Sequence, residues 1–195
     1  MTTEENGLQD LMKRTAVALK RADVPFALCG GYAAWARGAP EPEHDADFLV
    51  AEADASRAGE ALVAGGLQVQ EPAEDWLLKV VEGQTFVDVI WRAGGKPVDG
   101  SLVARSDVLP VLSVEMPVLT ATDVLSTKLA ALDEHYCDFS RLLPTARALR
   151  EQVEWDLVRE TVAGNPYAEV ALELLERLHI IEASPSGARS PDGGT

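Results

Sequence analysis

The chain has 195 residues, 17 Lys and Arg against 32 Asp and Glu, a formal net charge of −15 and 47% hydrophobic residues. That length suits one globular domain, or a small domain with a helical extension, and the hydrophobic fraction suffices for a core. The acidity excludes broad non-specific nucleic-acid binding, which draws on a basic surface to release counterions. No apolar run approaches the ~20 residues that a bilayer span needs.

The first residues, Met1-Thr2-Thr3-Glu4-Glu5-Asn6, are acidic and polar, unlike a secretory signal, so a cytoplasmic setting is expected. Cys29 and Cys137 stand far apart in sequence and fit no zinc spacing, and both are expected to be reduced. Leu8, Leu11, Met12, Ala16, Leu19 and Ala22 recur at helical spacing and predict a helix over residues 7–22, ended by Asp23-Val24-Pro25. Phe26-Ala27-Leu28-Cys29 reads as a buried strand stopping at Gly30-Gly31, with one or two helical turns over Tyr32 to Arg37 and a loop from Gly38 to Pro42. Asp45 to Val50 reads as a second strand, and residues 54–65 as a helix closed by Gly65-Gly66. Strand patterns follow over Leu67 to Gln70, Trp76 to Val81 and Thr85 to Trp91, the last two joined by a hairpin turn at Glu82-Gly83-Gln84. A short apolar run over Val108 to Val114 precedes Met116-Pro117-Val118-Leu119.

From Thr120 the pattern turns helical, with Thr120 or Thr122 as an N-cap and further helices over Asp138 to Arg150, Asp156 to Val162 and Tyr167 to Ile181. The end of the chain, from Ser184, is rich in Ser, Pro and Gly and is expected to be disordered. The expected architecture is α+β: an α/β domain with a mixed sheet over residues 1–119, a helical region over 120–182 and a tail over 183–195. Two basic clusters, one at Lys13, Arg14, Lys20 and Arg21 and another at Arg141, Arg147 and Arg150, read as solvated helix faces rather than as RNA-binding patches.

The chemistry lies in three carboxylates. Asp45 and Asp47 stand two apart in a strand pattern, so both face one side. Two acids so placed repel unless a cation sits between them, and oxygen-only ligands suit Mg²⁺ or Mn²⁺. Asp88 lies inside the apolar run Phe86-Val87-Asp88-Val89-Ile90 and is costly to bury without a partner. An adjacent strand carrying Asp45 and Asp47, with a bridging metal, would supply one. A glycine pair that closes a strand and opens a helix, as Gly30-Gly31 does, lets backbone approach phosphate.

In this order the motifs Leu28-Cys29-Gly30-Gly31-Tyr32-Ala33, His44-Asp45-Ala46-Asp47-Phe48-Leu49-Val50 and Val87-Asp88-Val89-Ile90 resemble the nucleotidyltransferase superfamily related to DNA polymerase β. Thr122 to Leu132, with Lys128 inside it, resembles the helix that follows in the minimal and abortive-infection-type members, some of them toxin-like. Asp138 is similar to an acid that lies a short way beyond that lysine. The resemblance spans residues 25–150. It implies that Gly30 and Gly31 cradle a triphosphate, that Asp45, Asp47 and Asp88 hold Mg²⁺ or Mn²⁺ with Asp88 as base, and that Lys128 steadies phosphate charge. It implies transfer of a nucleoside monophosphate from an NTP, such as ATP, to a hydroxyl on a tRNA 3′ end, a protein or a small molecule, with a cognate antitoxin as a partner of a toxin-like member. The loop Pro40-Glu41-Pro42-Glu43-His44 departs from the family, since many relatives carry a Ser or Thr there; His44, or Arg37 as a phosphate-facing cation, is the candidate replacement, with His44 as a loop histidine of no role the alternative. A non-catalytic nucleotide-binding or partner-binding module on the same fold stands as the alternative. A kinase reading lacks the required Gly-x-Gly-x-x-Gly or Walker loop.

Overall fold

A computed structural model describes residues 3–42 and 45–183. Helix α1 (Thr3–Arg21) buries Leu8, Leu11, Met12 and Leu19, the expected apolar stripe. It leads into β1 (Phe26–Cys29), α2 (Gly30–Ala36) and β2 (Ala46–Val50). A short 3₁₀ turn (Glu52–Asp54) precedes α3 (Ala55–Ala64), and β3 (Gln68–Gln70), β4 (Leu77–Glu82) and β5 (Thr85–Ile90) follow. Next come a small hairpin, β6 (Arg92–Ala93) and β7 (Lys96–Pro97), then α4 (Gly100–Ala104), β8 (Asp107–Val111) and β9 (Val114–Val118). The chain continues through α5 (Ala121–Ala130), α6 (Phe139–Leu149), α7 (Trp155–Val162) and α8 (Pro166–Arg177).

The main sheet has the order β3-β4-β5-β2-β1-β9-β8. It is mixed, as expected: β2 runs parallel to β5 and β1 parallel to β9, while the other neighbours are antiparallel. The alternation of strand side chains sets the two faces of β5. Val87 and Val89 are fully buried on one face, and the other face carries Asp88 and Ile90 toward a cavity. Helix α3 lies over Leu78, the cross-strand partner of Val89. The buried residues form one cluster running from Leu8 in α1 to Ile181 beyond α8, so the C-terminal helices share the core of the sheet.

Three local features differ from the sequence reading. The second strand begins at Ala46, and Asp45 stands just before it, exposed. The apolar run over residues 108–114 is split by a hairpin turn, with Leu112 and Ser113 at φ of 49° and 69° joining β8 to β9. Nothing in the pattern over residues 92–107 signalled the β6–β7 hairpin or α4, because two-residue strands and a single five-residue helix are too short for periodicity to register. Glu43, His44 and the tail from Ser184 lie outside the described residues.

Candidate active site

Strand register brings the site together. Cys29 in β1 pairs with Asp47 in β2, Asp47 pairs with Asp88 in β5, and Asp88 pairs with Lys79 in β4. Paired residues point to the same face, so Lys79, Asp88, Asp47 and Cys29 form a row across four strands. The two acids expected to be neighbours are neighbours. The ion partner of Asp88 is nevertheless on its other side: Lys79 Nζ lies 2.8 Å from Oδ1 and 3.1 Å from Oδ2 of Asp88. The same ammonium stands 4.2 Å from the centre of the Phe86 ring.

Asp47 is the most perturbed acid of the row. Burial raises its pKa first, the negative charges of Asp45 and Asp88 raise it further, and Lys128 and Lys79 partly offset them, leaving it at about 7. Cys29 donates from Sγ to the Asp47 carbonyl, and burial pushes its thiol well above the ordinary value. Among the described residues, no three His, Cys, Asp or Glu side chains are gathered closely enough, as they stand, to hold a metal ion. The donor chemistry still fits a hard divalent cation: the acids offer only oxygens, and the mutual repulsion that lifts Asp47 is what such a cation relieves.

Gly30 opens α2 at φ of 63°, directly beside Asp47, and Gly31 packs under Pro42. Cys29, at the N-cap of α2, makes no side-chain capping bond. Helix α5 is fixed at its start by Thr120, whose hydroxyl accepts from Asp123 N–H, and by an Arg105–Asp123 ion pair of 2.7 Å. Its last turn presents Lys128 to a cavity of about 870 Å³. Asp47, Asp88, Gly30 and Lys128 line one part of that cavity, and Trp76 and the β6–β7 hairpin form another wall. The connection between α5 and α6 adds Asp133, Tyr136 and Asp138 to the lining, and α6 adds Arg141. There Asp133 Oδ1 accepts from the backbone of His135 and Tyr136, a local turn that holds Tyr136 out into solvent. Asp138 caps α6, and its bonds from Ser140 hold its carboxyl below the ordinary value.

Arg37 is placed elsewhere. Its guanidinium donates to the carbonyls of Leu119 (2.6 Å) and Val118 (3.1 Å) and pairs with Asp107 (2.8 Å), so it ties α2 to the β8–β9 edge and does not face a phosphate site. In the N-terminal basic cluster, Lys13 pairs with Asp10, Arg14 with Glu82, and Lys20 donates to the Glu115 carbonyl. Of the second cluster, Arg141 reaches the cavity. Lys79 was missed, although a signal existed: it is the one charge in Leu77-Leu78-Lys79-Val80-Val81, and counting outward from the Gly83-Gln84 turn sets it opposite Asp88.

No protein-family model matches the sequence, and a search of curated proteins finds no match. Solved structures do match. The solution structure of the antibiotic-resistance factor ANT(2″)-Ia is similar over 89% of this chain and 99% of its own, with a TM-score of 0.60 and 14% identity. A crystal structure of ANT(2″)-Ia in complex with adenylyl-2″-tobramycin covers 88% of this chain and 98% of its own, with a TM-score of 0.52 and 14% identity. An antigenic nucleotidyltransferase-like protein from Paracoccidioides brasiliensis covers 90% of this chain and 89% of its own, with a TM-score of 0.50 and 10% identity.

Proposed function

We propose that this chain, which has the nucleotidyltransferase fold, is an enzyme that moves a nucleoside monophosphate from an NTP to a hydroxyl of a small molecule, releasing pyrophosphate. The observation that carries the reading is the pairing of Asp47 with Asp88 across parallel strands, at the mouth of the Gly30-Gly31 turn and in the same cavity as Lys128.

Asp45, Asp47 and Asp88 would hold Mg²⁺ or Mn²⁺. Bound there, the metal would lower the pKa of an attacking hydroxyl and neutralise charge on the transferring phosphoryl group. The chain's own residues do the rest. Gly30, whose missing side chain leaves room beside the Asp47 carboxylate, lets the β1–α2 turn approach a phosphate. Lys128 supplies a fixed positive charge where phosphate charge develops. Asp88 accepts the proton of the attacking hydroxyl, and the cavity walls align acceptor and phosphate, which contributes by positioning alone.

A small-molecule acceptor is favoured by three observations. The cavity volume of about 870 Å³ lies in the range of small-ligand sites. The net charge of −15 repels polyanions such as tRNA. Asp133, Asp138 and the exposed Tyr136 line the same cavity and offer hydrogen-bond acceptors and an aromatic face, which suits a cationic, hydroxylated molecule. The ANT(2″)-Ia structure in complex with adenylyl-2″-tobramycin shows a small molecule carrying an adenylyl group on a similar fold.

The test is incubation with each NTP labelled at the α-phosphate, Mg²⁺, and separate pools of aminoglycosides, total tRNA and protein. Label on a small molecule, lost in Asp47→Ala, supports the proposal. Label in the RNA fraction instead would make the chain a tRNA-modifying, toxin-like enzyme and send the search to an antitoxin. Transfer from the γ-phosphate overturns the nucleotidyltransferase reading in favour of a kinase, and no nucleotide binding by calorimetry overturns the enzyme reading in favour of a partner-binding module.

A further inference from the structure

We propose that Lys79 is a built-in counter-cation of the acid row: its ammonium holds Asp88 in place and is displaced from it when a divalent cation binds. The proposal rests on the preceding reading that Asp88 is a metal ligand.

Three observations carry it. Lys79 engages both oxygens of Asp88, at 2.8 and 3.1 Å, so a metal that binds Asp88 meets the ammonium on the same oxygens and must share one with it or displace it. The pair is shielded, with Asp88 at 17% and Lys79 at 31% side-chain exposure, so solvent screening does not erase the attraction. The ammonium also lies 4.2 Å from the Phe86 ring centre, and a ring face gives it a resting place once it leaves the carboxylate.

The physical need is plain. Burial and the negative charges of Asp45 and Asp88 raise the pKa of Asp47, and Lys128 and Lys79 offset them only in part. Without a cation on the sheet side the empty row would repel itself. The consequence is that bare metal binds against a resident positive charge. A metal that arrives on the triphosphate of a nucleotide brings its own ligands and extra negative charge, so Lys79 favours loading of metal and nucleotide together.

The test is Mn²⁺ titration of the full chain without nucleotide, read by electron paramagnetic resonance of the free ion, with thermal melting in parallel. The chains compared are the wild type, Lys79→Met, Lys79→Gln, Lys79→Arg and Asp47→Asn. Lys79→Met and Lys79→Gln should bind Mn²⁺ about tenfold more tightly than the wild type, since a unit charge close to the ion is removed. Lys79→Arg, which keeps the charge, should stay near the wild-type affinity. Saturating Mn²⁺ should raise the melting temperature of the two neutral variants by more than that of the wild type. Unchanged or weaker Mn²⁺ binding in both neutral variants, with binding lost in Asp47→Asn, overturns the counter-cation and leaves the metal site standing. No Mn²⁺ binding in any variant, with or without NTP, overturns the metal site and the counter-cation together.

Discussion

A side chain at Gly30 would overlap the Asp47 carboxylate: a Cβ built there meets Oδ2 and lies 3.2 Å from Cγ. The same residue holds φ of 63°, where a Cβ is also strained by its own backbone. Gly30→Ala is therefore expected to cost about 1–2 kcal/mol of stability from the backbone alone. It should also push Asp47 off its position and abolish nucleotide transfer. Urea midpoints and α-label transfer, measured on the same preparation, check both. A variant with wild-type transfer would show that Asp47 needs no clearance there.

Asp47 gives a pH prediction. Its folded-state pKa is about 7 against an ordinary 3.8, raised by burial, then by Asp45 and Asp88. An acid with a raised folded pKa binds more protons in the folded chain than in the unfolded one between those values. Its contribution is therefore fully present below about pH 4 and is lost as pH rises toward 7. Asp47→Asn cannot ionise and escapes that loss. In the presence of a chelator, the variant should exceed the wild type at pH 8 by an amount on the order of a few kcal/mol, with the gap closing toward pH 4.5. Chemical denaturation across that range is the measurement; a gap that does not change with pH would contradict the assigned burial of charge.

Arg37 is expected to matter for stability and not for chemistry. Its side chain is 10% exposed and donates to two backbone carbonyls as well as to Asp107. Arg37→Met leaves those carbonyls without their charged donor and should cost about 2–3 kcal/mol. Transfer per folded molecule, assayed well below the melting transition, should stay within about twofold of wild type, because the guanidinium is tied to the β8–β9 edge. A large loss of kcat with unchanged melting would instead return Arg37 to the phosphate site.

Lys128 predicts the reverse pattern. It is part-exposed in the last turn of α5, a helix already anchored by Thr120 and the Arg105–Asp123 pair. Lys128→Met should leave the melting temperature nearly unchanged and reduce kcat/KM for the NTP by roughly 10²-fold, the scale for loss of one preorganised charge. Equal kcat/KM in the two proteins would remove Lys128 from the site.

The sequence by itself determined the local pieces. The stripe from Leu8 to Leu19 specified α1, the apolar Phe26 to Cys29 with its glycine pair specified β1 and its turn into α2, and the mixed α+β architecture followed from strands giving way to helices after Thr120. Alternation along β5 was enough to mark Asp88 as an acid out of place among apolar neighbours. These signals are legible because helix and strand periods and glycine turns are set by residues a few positions apart. Only the tertiary structure decided what faces what. Asp47 meets Asp88 because β2 and β5 pair in parallel across more than thirty intervening residues, Arg37 is spent on the carbonyls of Val118 and Leu119, and Tyr136 reaches the cavity from a connection with no periodic pattern. Lys79 lies between the two cases. The Gly83-Gln84 turn fixes its register against Asp88, but a close ion pair also requires two part-buried side chains to share the cavity face, and the packing of the whole sheet sets that face.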